Sequence, residues 1–178
     1  MKEIAAMDVL LTRRSVRSFT NEPVSEPEIK AILRAGMHAP SSHNRRPWQM
    51  ITITDRALLN ALSPLSRWWG MLRDAPLCIV TCSYSDTIKP EDEEFLVQDS
   101  AAATENMLLA IHALGLGGVW LGIHPKREYY QAVKDALHIP DHVRVVSLIA
   151  AGHIKEPLPQ RPAPQERFEE EKWHRERY

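Results

Sequence analysis

Apolar residues recur along this chain at two spacings, and the spacing assigns the elements. Ser25-Glu26-Pro27-Glu28 is a capping box with proline inside the first turn, and Ile29, Ile32, Leu33 and Met37 follow at helical intervals. The helix is expected to stop between Gly36 and Ala39, ahead of Pro40. Trp48 to Thr54 alternates as a strand, and Asp55 then caps a short helix carrying Leu58, Leu59 and Leu62. Pro76 to Tyr84 is almost continuously apolar, which predicts a strand buried on both faces. Glu93 to Leu114 is the longest helical pattern. Small or apolar residues, among them Ala101, Ala102, Ala103, Met107, Leu108 and Ile111, cover much of its circumference, as suits a central helix or one against a second subunit. Val119 to Ile123, Lys126 to Leu137 and Val143 to Ala151 read as strand, helix and strand.

Helices interleaved with so few strands predict an α+β layer, with a mixed sheet of four to five strands flanked by helices. At 178 residues the chain suits one domain spanning residues 1–178. Beyond Gly152 the composition changes. Pro157, Pro159, Pro162 and Pro164 precede a charged tail, so residues 152–178 are expected to form an extended arm lying on another surface, with Phe168, Trp173 and Tyr178 as anchors.

A net charge of −1 gives no global basic field for nucleic acid, so any anion affinity must be local. Met1 to Ala6 contains Lys2 and Glu3 and lacks the apolar core of a secretory signal, and no run is long enough to span a membrane. The cytoplasm is therefore the expected location. Cys78 and Cys82 fall on one face of a strand and read as buried small hydrophobes rather than a disulfide or metal pair. His138-Ile139-Pro140-Asp141-His142 has the histidine spacing of a zinc helix, but Pro140 breaks that helix and no glutamate follows His138, so no metal site is expected. No Gly-x-Ser-x-Gly elbow supports a nucleophilic triad, and no catalytic side chain is assigned.

Candidate chemistry is concentrated in three places. Arg13-Arg14-Ser15-Val16-Arg17-Ser18-Phe19 puts three guanidinium groups and two hydroxyls within seven residues, which suits a phosphate dianion, although a solvated basic turn has the same composition. Ala39 to Trp48 is a proline-bounded loop whose hydroxyls, amide and guanidinium groups could read a heterocycle edge or simply connect helix to strand. Gly115-Leu116-Gly117-Gly118-Val119-Trp120-Leu121-Gly122 is not a dinucleotide fingerprint, because the third glycine is missing and the run leads from helix to strand. The glycines are read instead as letting main chain approach a flat ligand closely.

In this order and spacing, with Asp74-Ala75-Pro76 before the second strand and an arginine-bearing tail, these motifs resemble the nitroreductase family of FMN-dependent oxidoreductases. The resemblance spans Met7 to Tyr178. It implies a homodimer with two FMN sites at the interface, each built from both chains. Arg13 and Ser15 match the phosphate binders, Arg14 lies against the phosphate and ribityl chain, and Arg17 matches the cation beside the flavin N1–C2=O edge. Pro40, Ser41, Ser42 and Asn44 match the loop reaching the ring from the other subunit. Trp120, Leu121 and Gly122 match the segment facing the ring, and Arg167 the tail arginine that returns to the phosphate, with Arg161 as its alternative. Arg46 stands where the family commonly has glutamine, so a positive charge faces either the flavin or the substrate. The implied activity is hydride transfer from NAD(P)H through flavin N5 to a nitroaromatic, quinone or similar small-molecule acceptor. A specialised flavin enzyme of dehalogenase or azoline-oxidase type, or a flavin carrier or sensor without turnover, shares the same motifs.

Overall fold

The computed structural model describes residues 6–84, 89, 92–156 and 168–178. The two central strands have apolar side chains on both faces, and that determines the layering. Strands β1 (Trp48–Ile53), β2 (Leu77–Ser83), β3 (Gly117–Gly122) and β4 (Arg144–Gly152) form a sheet in the order β1-β2-β4-β3. All seven residues of β2 are buried, as its almost continuously apolar run predicts. Leu77 and Ile79 of β2, with Ile149 and Ala151 of β4, pack against α2 (Glu26–Met37) and α4 (Glu93–Ala113). Cys78, Val80 and Cys82 of β2, with Leu148 and Ala150 of β4, pack on the opposite face against residues of α3 (Arg56–Leu62) and α5 (Arg127–Leu137). The period-two alternation of a strand thus feeds two cores at once.

The sheet is less mixed than expected. All three strand pairs are antiparallel, and the parallel component among the described residues is an isolated bridge between Ser15 and Gly118. Local signals placed the other elements well. Glu28 Oε2 accepts from the main-chain N–H of Ser25 at 2.8 Å and from its hydroxyl at 2.6 Å, closing the start of α2. Asp55 accepts from the N–H of Leu58 at 2.9 Å and starts α3. The short apolar segment ahead of Arg13, to which the pattern assigns no element, is the helix α1 (Ala6–Thr12); it buries Val9 and leaves Met7, Leu10 and Leu11 more than half exposed.

Both cysteines are free and buried in one core cluster, and burial pushes the Cys82 thiol up to about 11 and that of Cys78 higher. Such thiols are inert at neutral pH. His138 closes α5 in a left-handed conformation, and the ring of His142 lies edge-on to Tyr84. No helix among the described residues is long and apolar enough to cross a membrane. Phe168, Trp173 and Tyr178 are exposed within one chain, and the first two stack edge-on with centroids 5.7 Å apart. Most of the proline-rich stretch lies outside the described residues.

Candidate functional site

The arginine-rich segment is held by two apolar pegs. Val16 and Phe19 are buried, whereas Ser15, Arg17 and Ser18 are exposed and Arg13 and Arg14 half-buried. Val16 N–H donates to the carbonyl of Gly118 at 3.0 Å, and Phe19 bridges Ile154. A freely solvated turn has no such anchors. The segment is therefore a fixed platform that holds its donors along the edge of β3.

Gly117 makes this approach possible by leaving room for Val16 rather than for a flat ligand. A Cβ at Gly117 would lie 2.7 Å from Val16 Cγ1, and one at Gly118 would lie 3.1 Å from Ile111 Cγ2. The space beside these two glycines is taken by the protein's own side chains, not kept for a ligand. Gly122 differs: a Cβ there meets nothing within 4 Å.

Arg13 follows α1 directly, and its Nε pairs with Glu105 of α4 at 3.5 Å. Next to it, Thr12 Oγ1 lies 2.8 Å from His112 Nε2. Burial, and then the charge of Arg13, hold the His112 pKa below the usual histidine value. The folded protein thus disfavours the imidazolium that the unfolded chain accepts. Stability is unaffected at high pH and falls as the pH drops below about 6.5, until the lowered folded pKa is passed. His112→Gln is expected to flatten this part of the pH profile, as measured by thermal unfolding between pH 7.5 and 5.5. A parallel decline in the variant would show that other groups cause it.

β3 is an edge strand, and the arginine segment bridges its outer side at Gly118. Further along, Trp120, Leu121 and Gly122 line a recess of about 290 Å³ together with Arg17. The structure thus brings together four residues that the sequence singled out from two distant stretches. The remaining wall was missed: Ser66, Trp68, Trp69, Lys126 and Tyr129. Trp69 is buried against Tyr129 with centroids 5.3 Å apart, whereas Trp68 is 62% exposed with the Arg67 guanidinium 4.6 Å above its ring. Arg17 and Trp68 also line an adjoining recess of about 550 Å³ with Arg67, Met71 and Asp74. An Arg-Trp-Trp run outside any strand was the available signal for this wall.

The loop between α2 and β1 lies elsewhere, against the first turns of α4. Ser42 N–H donates to Asp99 Oδ1 at 2.9 Å, and Arg45 pairs with Asp92 at 3.0 Å. Arg46 turns back on its own loop: its N–H donates to Ser41 Oγ and its Nε to Asn44 Oδ1, both at 2.9 Å. Pro40 and Asn44 are exposed, and Ser41 and Ser42 half-buried. None of Pro40, Ser41, Ser42, Asn44 and Arg46 lines the recess beside Arg17 in the single chain. Arg161 and Arg167 lie outside the described residues.

The same arrangement of segments is found in known proteins. The family described as the Nitroreductase family matches residues 10–69 and 65–153. A protein of Archaeoglobus fulgidus, provisionally named NADH dehydrogenase/NAD(P)H nitroreductase, is 36% identical over 172 residues, 97% of this chain and 98% of its own. The crystal structure of a Parabacteroides distasonis protein with the same provisional name superposes with a TM-score of 0.87 at 33% identity, covering 99% of this chain and 100% of that one. A provisionally named nitroreductase of Desulfovibrio desulfuricans, solved in complex with FMN, has a TM-score of 0.74 at 32% identity over 90% of this chain and 94% of its own. An arginine platform pegged to the edge of β3, a recess at the end of that strand and matches along nearly the whole chain together place this protein in the nitroreductase family.

Proposed function

We propose that this chain is an FMN-dependent NAD(P)H oxidoreductase that reduces a nitroaromatic, quinone or similar small molecule, and that it works as a homodimer with flavin at the interface. The carrying observation is the recess lined by Arg17 and by Trp120, Leu121 and Gly122, beside a platform that bears Arg13, Arg14 and Ser15. The donor set fits the cofactor: guanidinium and hydroxyl groups suit a phosphate, and an open glycine beside aromatic and cationic walls suits a flat, electron-rich ring. A related structure contains FMN, and relatives carry NAD(P)H nitroreductase names.

When bound, FMN supplies the two-electron chemistry that links donor and acceptor. The chain supplies position and charge. Arg13, Arg14 and Ser15 hold the phosphate, with Arg167 as the proposed tail contact. Arg17 keeps a positive charge at the recess, which favours any bound state carrying negative charge there. Pro40, Ser41, Ser42 and Asn44 stand apart from the recess in one chain, so the dimer is needed to bring a partner's loop to it. The exposed Met7, Leu10 and Leu11 of α1 supply apolar surface for that association.

A visible spectrum of the purified protein, then titration with FMN and riboflavin and NAD(P)H oxidation with a nitroaromatic, tests this reading. A yellow protein that oxidises NAD(P)H and reduces the acceptor supports it. Failure to bind flavin overturns it, and binding without oxidation leaves a carrier. Arg46 is the proposed substrate contact. Arg46→Gln is expected to lower kcat/KM several-fold for an anionic acceptor such as nitrobenzoate and to leave a neutral nitroaromatic nearly unchanged, the size of one exposed charge contact. Added salt should shrink the difference. Equal loss with both acceptors would place Arg46 at the flavin instead.

A further inference from the structure

Asp99 has a buried carboxylate that none of the assigned site roles accounts for. It lies in the second turn of α4, 6% exposed, and a carboxylate so placed is costly unless its oxygens are bonded. Its Oδ1 accepts the main-chain N–H of Ser42, 57 residues away in sequence. Ser42 opens the turn that presents Ser41, Ser42 and Asn44. In this loop His43, Asn44 and Arg46 have φ of 53°, 54° and 51°. Asn and His take that conformation more readily than other non-glycine residues, but three such residues within four positions call for support from outside the loop. Here that support is α4. Asp92 stands seven residues before Asp99, two helical turns, so both acids share one face of the helix. Asp92 ties down Arg45 at the more exposed side, and Asp99 ties down Ser42 at the buried side. Just outside the two ties, Arg46 N–H closes on Ser41 Oγ across the loop.

We propose that Asp99 is the positioning residue of the loop that reads the flavin ring. Its carboxylate holds Ser42 N–H and thereby sets where Ser41, Ser42 and Asn44 stand when a partner's flavin meets them. This proposal rests on the reading given under Proposed function. A purely structural role would lower the melting temperature and leave flavin affinity unchanged, whereas the positioning role, because the loop addresses the ring and not the phosphate, weakens FMN and riboflavin by the same factor.

The test is flavin titration of the full-length protein, followed by fluorescence, with thermal unfolding measured in parallel. Asp99→Ala removes a charge-assisted bond and is expected to weaken both flavins about tenfold, with their ratio unchanged. Asp99→Asn keeps an acceptor oxygen without the charge, and neutral hydrogen bonds are roughly half as strong as charged ones. It should therefore lose only a few-fold, again equally for both flavins. If the alanine variant does not fold, the asparagine variant decides: an equal few-fold loss supports the proposal, and unchanged affinity overturns it. A lower melting temperature with unchanged flavin affinity overturns it, as does a loss confined to FMN. Wild-type protein that binds no flavin would instead overturn the functional reading beneath it. Flavin binding unaffected in both Asp99 variants would overturn this proposal alone.

Discussion

Arg13→Ala is expected to weaken FMN binding roughly ten- to a hundredfold and to leave riboflavin affinity within a few-fold of wild type. The two flavins differ by one phosphate, so the ratio isolates the contact that Arg13 is proposed to make. A hydrogen bond to a charged group is worth about 1.5–3 kcal/mol, which corresponds to that range of affinity. The platform makes the effect large, because Val16 and Phe19 hold the segment before any ligand arrives and little ordering is left to offset the contact. Glu105 pushes the variant toward the larger loss. In the wild type its carboxylate lies 3.5 Å from Arg13 Nε and is partly neutralised. Without Arg13, that charge stands uncompensated beside the proposed phosphate position. The Arg13–Glu105 pair is itself partly exposed and adds little to stability, so the variant should fold normally. Titration of both proteins with both flavins checks this. Equal losses for FMN and riboflavin would mean that Arg13 acts on the ring or the fold, not on the phosphate.

What the sequence made legible was chiefly what short stretches decide for themselves. The capping box at Ser25, the Asp55 cap and the apolar run of β2 each carry their cause within a few residues, and each element stands where its pattern indicates. α1 was missed because seven residues with one buried side chain offer too little periodicity to read. The chemistry of Arg13 to Arg17 was legible as composition. Its rigidity was not, since that comes from Gly118 and Ile154, more than a hundred residues away. The recess shows the same division. Trp120 to Gly122 and Arg17 could be named from motifs, but Trp68, Trp69, Lys126 and Tyr129 join them only through the packing of α5 and the turn before β2. Asp99 carries no signal within its own stretch, and its role appears only where the fold sets it under Ser42. The glycine run was read as letting main chain approach a flat ligand, whereas what approaches Gly117 and Gly118 is the chain itself.

That close approach carries the second large effect. Gly117→Ala adds a single methyl, yet its Cβ would stand 2.7 Å from Val16 Cγ1, 2.8 Å from Val16 Cβ and 3.1 Å from Ile154 Cγ1. A Cβ cannot rotate away, and Val16 Cβ moves only with its own backbone. The segment from Arg13 to Arg17 must therefore shift off the strand edge, or the strand must yield. Overpacking of this kind costs about 1–3 kcal/mol, which lowers the melting temperature of a chain this size by several degrees. FMN affinity should fall as well, since the donors ride on the displaced segment. Val16→Ala in the same chain removes the Cγ1 clash but keeps the Cβ clash, so it should restore part of the stability and not all of it. The coupling between the two sites should be favourable, seen as a double variant more stable than the sum of the single losses allows. Additive losses would show that Gly117 is kept for some reason other than the passage of Val16. A Gly117→Ala protein with unchanged stability and unchanged FMN affinity would show that the platform is not pinned to β3 at this point.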